Sequence, residues 1–113
     1  MIAQIRPRQF AAWLQTASAD GAPVVLDVRD ALELQAAAIK PDGFTVTAIP
    51  MADIPARITE LDPTQPVACL CHHGVRSQRV AAFLEARGFT NVVNMAGGIE
   101  AWSNELDPSV ARY

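Results

Sequence analysis

The stretch Cys71-His72-His73-Gly74-Val75-Arg76-Ser77 gathers a thiol, two imidazoles, a guanidinium and a hydroxyl into seven consecutive residues. It follows an apolar run, Val67-Ala68-Cys69-Leu70-Cys71, long enough for a central strand. A helical pattern with Val80, Ala81, Phe83 and Leu84 on its buried side begins at or near Ser77. The reactive groups therefore fall on a tight strand–loop–helix connection. Such a loop turns backbone N–H groups inward, and the helix dipole adds partial positive charge behind them. A thiolate, a persulfide or an oxyanion would be stabilised there. Thiolates near helix N-termini and cationic groups ionise well below the free value of about 8.5. Gly74 allows a positive φ in the loop. His72, His73 and Arg76 supply donors around its rim, a local positive patch on an acidic chain. Cys71 is the expected nucleophile.

The neighbouring groups divide by role. Cys69, two residues back on the same side of the strand, reads as core filler, because such close neighbours in an extended chain rarely meet disulfide geometry. Cys69, Cys71, His72 and His73 cannot easily surround a tetrahedral zinc ion from five consecutive residues. No metal and no organic cofactor is expected. Asp27 and Arg29 end another short strand, Val24 to Val28, and read as a structural hydrogen-bonded pair supporting the site, as does Ser77.

The elements that must hold these groups alternate along the chain. Pro7 opens a helix over 7–17 with Phe10, Ala11, Leu14 and Ala17 at helical spacing. After the turn Asp20-Gly21-Ala22-Pro23 come the strand at 24–28, a helix over 30–38, a loop at 40–44 and a strand at 45–49. Asp53 is expected to cap a helix bearing Ile54, Ile58 and Leu61 on one face. Gly88 stands at the C′ position of the helix after the reactive loop. Val92 to Met95 reads as a strand, and Gly97-Gly98 turns into a short helix with Ile99 and Trp102 inward. Strands alternating with helices imply an α/β domain with a mainly parallel sheet and right-handed crossovers.

Composition sets the frame. The 113 residues make one domain, spanning 1–113, large enough for a core without disulfides or metal. A net charge of −3 gives no basic field for nucleic acid or an anionic membrane. No apolar run approaches the roughly 18 residues that span a bilayer. Arg6 and Arg8 interrupt any signal-like apolar segment, and Cys69 and Cys71 form no disulfide framework. A reduced, cytoplasmic setting is the simplest reading, and it keeps a thiol available.

At these residues the sequence resembles the rhodanese-like domains over nearly its whole length. The matching pieces, in order, are VVLDVRDALEL at 24–34, AIPM at 48–51, CHHGVRS at 71–77, FLEARGF at 83–89 and NMAGGIEAW at 94–102. The resemblance implies a five-stranded parallel sheet flanked by helices on both faces, with an active loop running from Cys71 to Arg76. It also implies a persulfide on Cys71, with substrate contacts from the amides and side chains of His72, His73, Gly74, Val75 and Arg76. One departure is AAAIKPDGFTV, where the family often carries His-Ile-Pro-Gly-Ala; this bears on the pocket rim and the choice of donor.

The activity so implied is a sulfurtransferase using a small-molecule donor such as thiosulfate. Cyanide, a thiol or a protein would accept the sulfur. The C-terminal GGIEAWSNELDPSVARY resembles tails of rhodanese domains fused to adenylyltransferases, hinting at a ubiquitin-like carrier or another thiol protein as acceptor. Two other readings compete. Cysteine-dependent phosphatases and arsenate reductases of this fold need a loop one residue longer than the His72–Val75 spacer between Cys71 and Arg76. Non-catalytic rhodanese-like binding modules typically lack the cysteine that is present here.

Overall fold

The computed structural model describes residues 1–113. Five short strands form one sheet: β1 (Ala3–Ile5), β2 (Val24–Asp27), β3 (Thr45–Ala48), β4 (Val67–Leu70) and β5 (Val92–Met95). Their order is β1-β5-β4-β2-β3 and every pair is parallel. β2 and β4 are buried along their whole length, as expected of strands covered on both faces, and their continuous apolar runs follow from that. The helices are α1 (Phe10–Ala17), α2 (Ala31–Ala36), α3 (Ile54–Arg57), α4 (Val75–Ala86) and α5 (Gly98–Glu105).

The two-residue period of the strands divides the core into two layers. Leu26, Val67, Cys69 and Cys71 face one side, with Ile54 of α3 and Val80, Ala81 and Leu84 of α4. Val25, Ala68, Leu70 and Val93 face the other, with Phe10 of α1 and Ile99 and Trp102 of α5. Phe10 is the hub of that second layer, its ring meeting Phe44 and Trp102 edge-on at 5.0 and 5.1 Å.

The structure departs from the sequence expectations in four places, the first being that the helix expected over 7–17 opens as a 3-10 turn (Pro7–Gln9) before α1. β1 lies in a segment read as no element, and it supplies the fifth strand that only the family resemblance implied. The continuous helix expected behind Asp53 is instead a 3-10 turn (Met51–Asp53), the four-residue α3 and a second 3-10 turn (Ile58–Glu60). Asp53 makes no side-chain cap, and the proline and β-branched residues of Ile54-Pro55…Ile58-Thr59 are poor helix formers. Finally, α4 begins at Val75 rather than Ser77, with Gly74 at φ +101° as its N-cap. Its far end is as expected: Gly88 is left-handed, and the Gly88 and Phe89 amides donate to the Glu85 and Leu84 carbonyls.

Candidate active site

Cys71 follows β4 at the carboxyl end of the sheet, where open parallel sheets place their ligands. It is 1% exposed, so its sulfur depends on protein groups for stabilisation. The Gly74 amide donates to Sγ at 3.0 Å, and Ser77 Oγ lies 3.3 Å away. That amide can reach back because Gly74 takes a left-handed φ that a side chain would strain. A Cβ there would also press on the Gly97 amide nitrogen at 3.1 Å.

Behind the sulfur stands a chain of buried polar groups. Ser77 Oγ donates to Asn94 Oδ1 at 2.6 Å, and Asn94 Nδ2 donates to the Gly74 carbonyl at 3.1 Å and to Gln4 Oε1 at 2.8 Å. Asn94 therefore fixes both ends of the loop's last turn. The Ser77 hydroxyl offers its lone pairs to a Cys71 thiol and can turn its hydrogen toward a thiolate. Asn94 belongs to the candidate site through these contacts, although in the sequence it is simply part of a strand. Its signal was a lone amide in the run Val92-Val93-Asn94-Met95.

The opposite side of the loop is held by α5. The Ile99 and Glu100 amides donate to the Cys71 and His72 carbonyls at 2.9 and 3.2 Å. That approach requires Gly98: a Cβ at this position would lie 2.3 Å from the His72 oxygen and 2.5 Å from the Cys71 oxygen. The Gly97-Gly98 pair is a docking point for the reactive loop as well as a turn.

Asp27 and Arg29 form the pair expected of them. Arg29 Nη2 and Nε donate to the two Asp27 carboxylate oxygens at 2.7 and 2.9 Å, with both side chains no more than 1% exposed. Arg29 also holds the Ala37 and Glu33 carbonyls at 2.8 and 3.2 Å, tying α2 to the end of β2. Removing one partner of such a pair costs about 3–5 kcal/mol, because the other is left charged and dry.

Arg76 differs from its expected role as a free rim donor. Its two terminal nitrogens each meet a Glu33 carboxylate oxygen at 2.7 Å, which cancels most of the anticipated positive patch. The same pairing, foremost through its hydrogen bonds, holds the Glu33 carboxyl down to about 2. The Tyr113 hydroxyl completes the cluster, accepting from Arg29 Nη1 and donating to Glu33 Oε1, both at 3.0 Å. The sequence signal at Glu33 is the capping-box spacing Asp30-x-x-Glu33, which marks a helix start and not a partner for Arg76, and Tyr113 has none.

His72 is half-buried, stacked between His73 and Tyr113 with ring centroids 3.9 Å apart on each side. Its Nε2 is buried without a hydrogen-bond partner. His73 and Val75 face solvent. Ligand atoms of His72, His73 and Glu100 lie within 4.8 Å of one another. The arrangement does not suit one ion: stacked rings point their in-plane lone pairs along separate planes, and Arg112 already holds Glu100. Cys69 is fully buried, and desolvation pushes its thiol up, which keeps it neutral.

This geometry has relatives. Residues 10–105 match the family described as Rhodanese-like domain. The chain is similar to a putative sulfurtransferase YtwF of Bacillus subtilis, 32% identical over 107 residues, covering 93% of this chain and 97% of that one. It is also similar to a thiosulfate sulfurtransferase GlpE of Pseudomonas savastanoi, 38% identical over 79 residues, 70% of this chain and 71% of that one. Among solved structures, a rhodanese-related protein of Thermoplasma volcanium superposes with a TM-score of 0.76 at 28% identity, covering 98% of this chain and 99% of that one. Other relatives are much longer: the chain spans 30% of a rhodanese-like/PpiC domain-containing protein of Arabidopsis thaliana, at 35% identity over 79% of its own length.

Proposed function

We propose that this chain, which belongs to the rhodanese-like domain family, moves sulfane sulfur from a donor such as thiosulfate to a thiophilic acceptor through a Cys71 persulfide. The family's sulfurtransferases supply the reaction class. The observation that carries the reading is the placement of Cys71 Sγ under the Gly74 amide at 3.0 Å and beside Ser77 Oγ at 3.3 Å. A donor fixed in advance beside a desolvated anion, as the Gly74 amide is here, is worth several kcal/mol to a reaction that builds charge there.

In the first half-reaction the Cys71 thiolate attacks the outer sulfur of thiosulfate. The new Sγ–S bond forms as the old S–S bond breaks, and sulfite leaves with the electron pair. The Gly74 amide steadies the thiolate and then the persulfide, with the amides of His72, His73 and Val75 as the further donors of the loop. Arg76, shared with Glu33, is a secondary contact for the leaving sulfite. In the second half-reaction cyanide, a thiol or a protein takes the outer sulfur and Cys71 returns as thiolate. No cofactor enters either step, and a reducing, cytoplasmic setting suits the free thiol.

A thiosulfate:cyanide assay tests the reading. Wild-type protein should form thiocyanate with ping-pong kinetics, and Cys71→Ser should form none. Equal rates from the two proteins would overturn it.

A further inference from the structure

Six of the nine basic side chains are closed in ion pairs. The three left without a carboxylate partner are Lys40, Arg79 and Arg87, and two of these belong to α4 and its C-cap. Val75, Arg79, Phe83 and Arg87 follow one another at four-residue spacing, which lines them along one ridge of the helix. Val75 is 66% exposed, Arg79 and Arg87 are exposed, and Phe83 is half-buried with the Arg87 guanidinium 4.5 Å above its ring. Beside the ridge, between α3 and α4, opens a cavity of about 160 Å³ lined by Met51, Ile54, Pro55, Arg79, Val80 and Phe83.

The ridge leads to the reactive sulfur. It starts at Val75, next to the Gly74 amide that meets Cys71 Sγ. Arg79 follows about 6 Å farther along the helix axis and Arg87 about 18 Å along. Ile54 and Val80, which line the cavity, share a core layer with Cys71. A polypeptide bringing a thiol to Cys71 could therefore lay apolar residues into the cavity and carboxylates against Arg79 and Arg87. On a chain of net charge −3, two unpaired cations on one ridge select an acidic partner and repel a basic one.

We propose that the α4 ridge and its cavity dock an acidic–apolar segment of a protein that accepts sulfur from Cys71. This rests on the sulfurtransferase reading and names the acceptor class for it. In the transfer, the acceptor thiolate attacks the outer sulfur of the Cys71 persulfide. A new S–S bond forms on the acceptor, the Sγ–S bond breaks, and Cys71 keeps the electron pair as thiolate, with no external oxidant or reductant.

The test loads Cys71 with thiosulfate and follows transfer to three acceptors: cyanide, a synthetic cysteine peptide with alternating Glu and Leu, and the same peptide with Lys for Glu. At low salt the wild type should favour the acidic peptide by about ten-fold or more, and the preference should shrink as salt rises. The double variant Arg79→Glu/Arg87→Glu should lose or invert that preference, with cyanide transfer unchanged. Equal use of the two peptides by a wild-type persulfide would overturn the docking surface and leave the sulfurtransferase reading standing. No persulfide at the loading step would overturn both. Sedimentation that shows a wild-type dimer dispersed by the double variant would assign the ridge to a second copy of the chain instead.

Discussion

Two cysteines, two residues apart and in one core layer, differ only in what surrounds the sulfur. Cys69 is fully buried, so ionisation is disfavoured; Cys71 has an amide and a hydroxyl within 3.3 Å. Cys69→Ala should accordingly keep sulfur transfer within a few-fold of wild type, whereas Cys71→Ser abolishes it; the opposite pattern in a thiocyanate assay would reverse the assignment. That contrast was legible in the sequence, since Cys71 alone is followed by polar residues and a glycine. The contacts of Asn94 and Gly98 were not legible, because each is made to the backbone of a loop 20 or more residues away. Gly98→Ala provides the test of the loop's seat. Its Cβ would meet backbone at 2.3 Å, and φ is +62°, so the loop must move. A displacement of about 1 Å can cost a hundred-fold in rate; kcat/KM should fall by that order, and an unchanged value would mean the loop does not depend on α5.

At the scale of elements, α2 is latched to the start of α4. Glu33 lies in α2's own capping box with Asp30 and also takes both terminal nitrogens of Arg76, 43 residues away. In the sequence Arg76 is a cationic residue close to a nucleophile, which suggests a free rim donor. The partner that neutralises it comes from another element, and only the fold brings the two together. The latch carries a pH signature. Glu33 is held down to about 2, below its ordinary value near 4.5, so its contribution to stability is present above about pH 5 and is lost as pH falls from there toward 2. The Tm of wild type should exceed that of Glu33→Gln at pH 6, and the gap should close progressively below pH 4.5. A gap that is constant across this range would mean the carboxylate is not what stabilises the latch.

At the scale of the whole molecule, four of the five strands could be read from their apolar runs and flanking turns, and their alternation with helices gave the parallel sheet. β1 escaped because it is three residues long, pairs only with β5 and shows solvent on most of its length, so it leaves no periodic pattern. The continuous helix expected behind Asp53 is instead a series of short turns, where proline and β-branched residues outweigh an apolar spacing. What the fold adds is convergence: the ends of β4 and β5 and the starts of α4 and α5 meet around the Cys71 turn. The short spacer between Cys71 and Arg76 suits that single atom rather than a tetrahedral oxyanion, which favours sulfur transfer over phosphate or arsenate chemistry. The most direct measurement is mass spectrometry of the intact protein and its peptides after brief exposure to thiosulfate. A gain of one sulfur on the peptide carrying Cys71, lost on adding cyanide, is the predicted result. A protein that gains no sulfur there, yet hydrolyses aryl phosphates through Cys71, would contradict it.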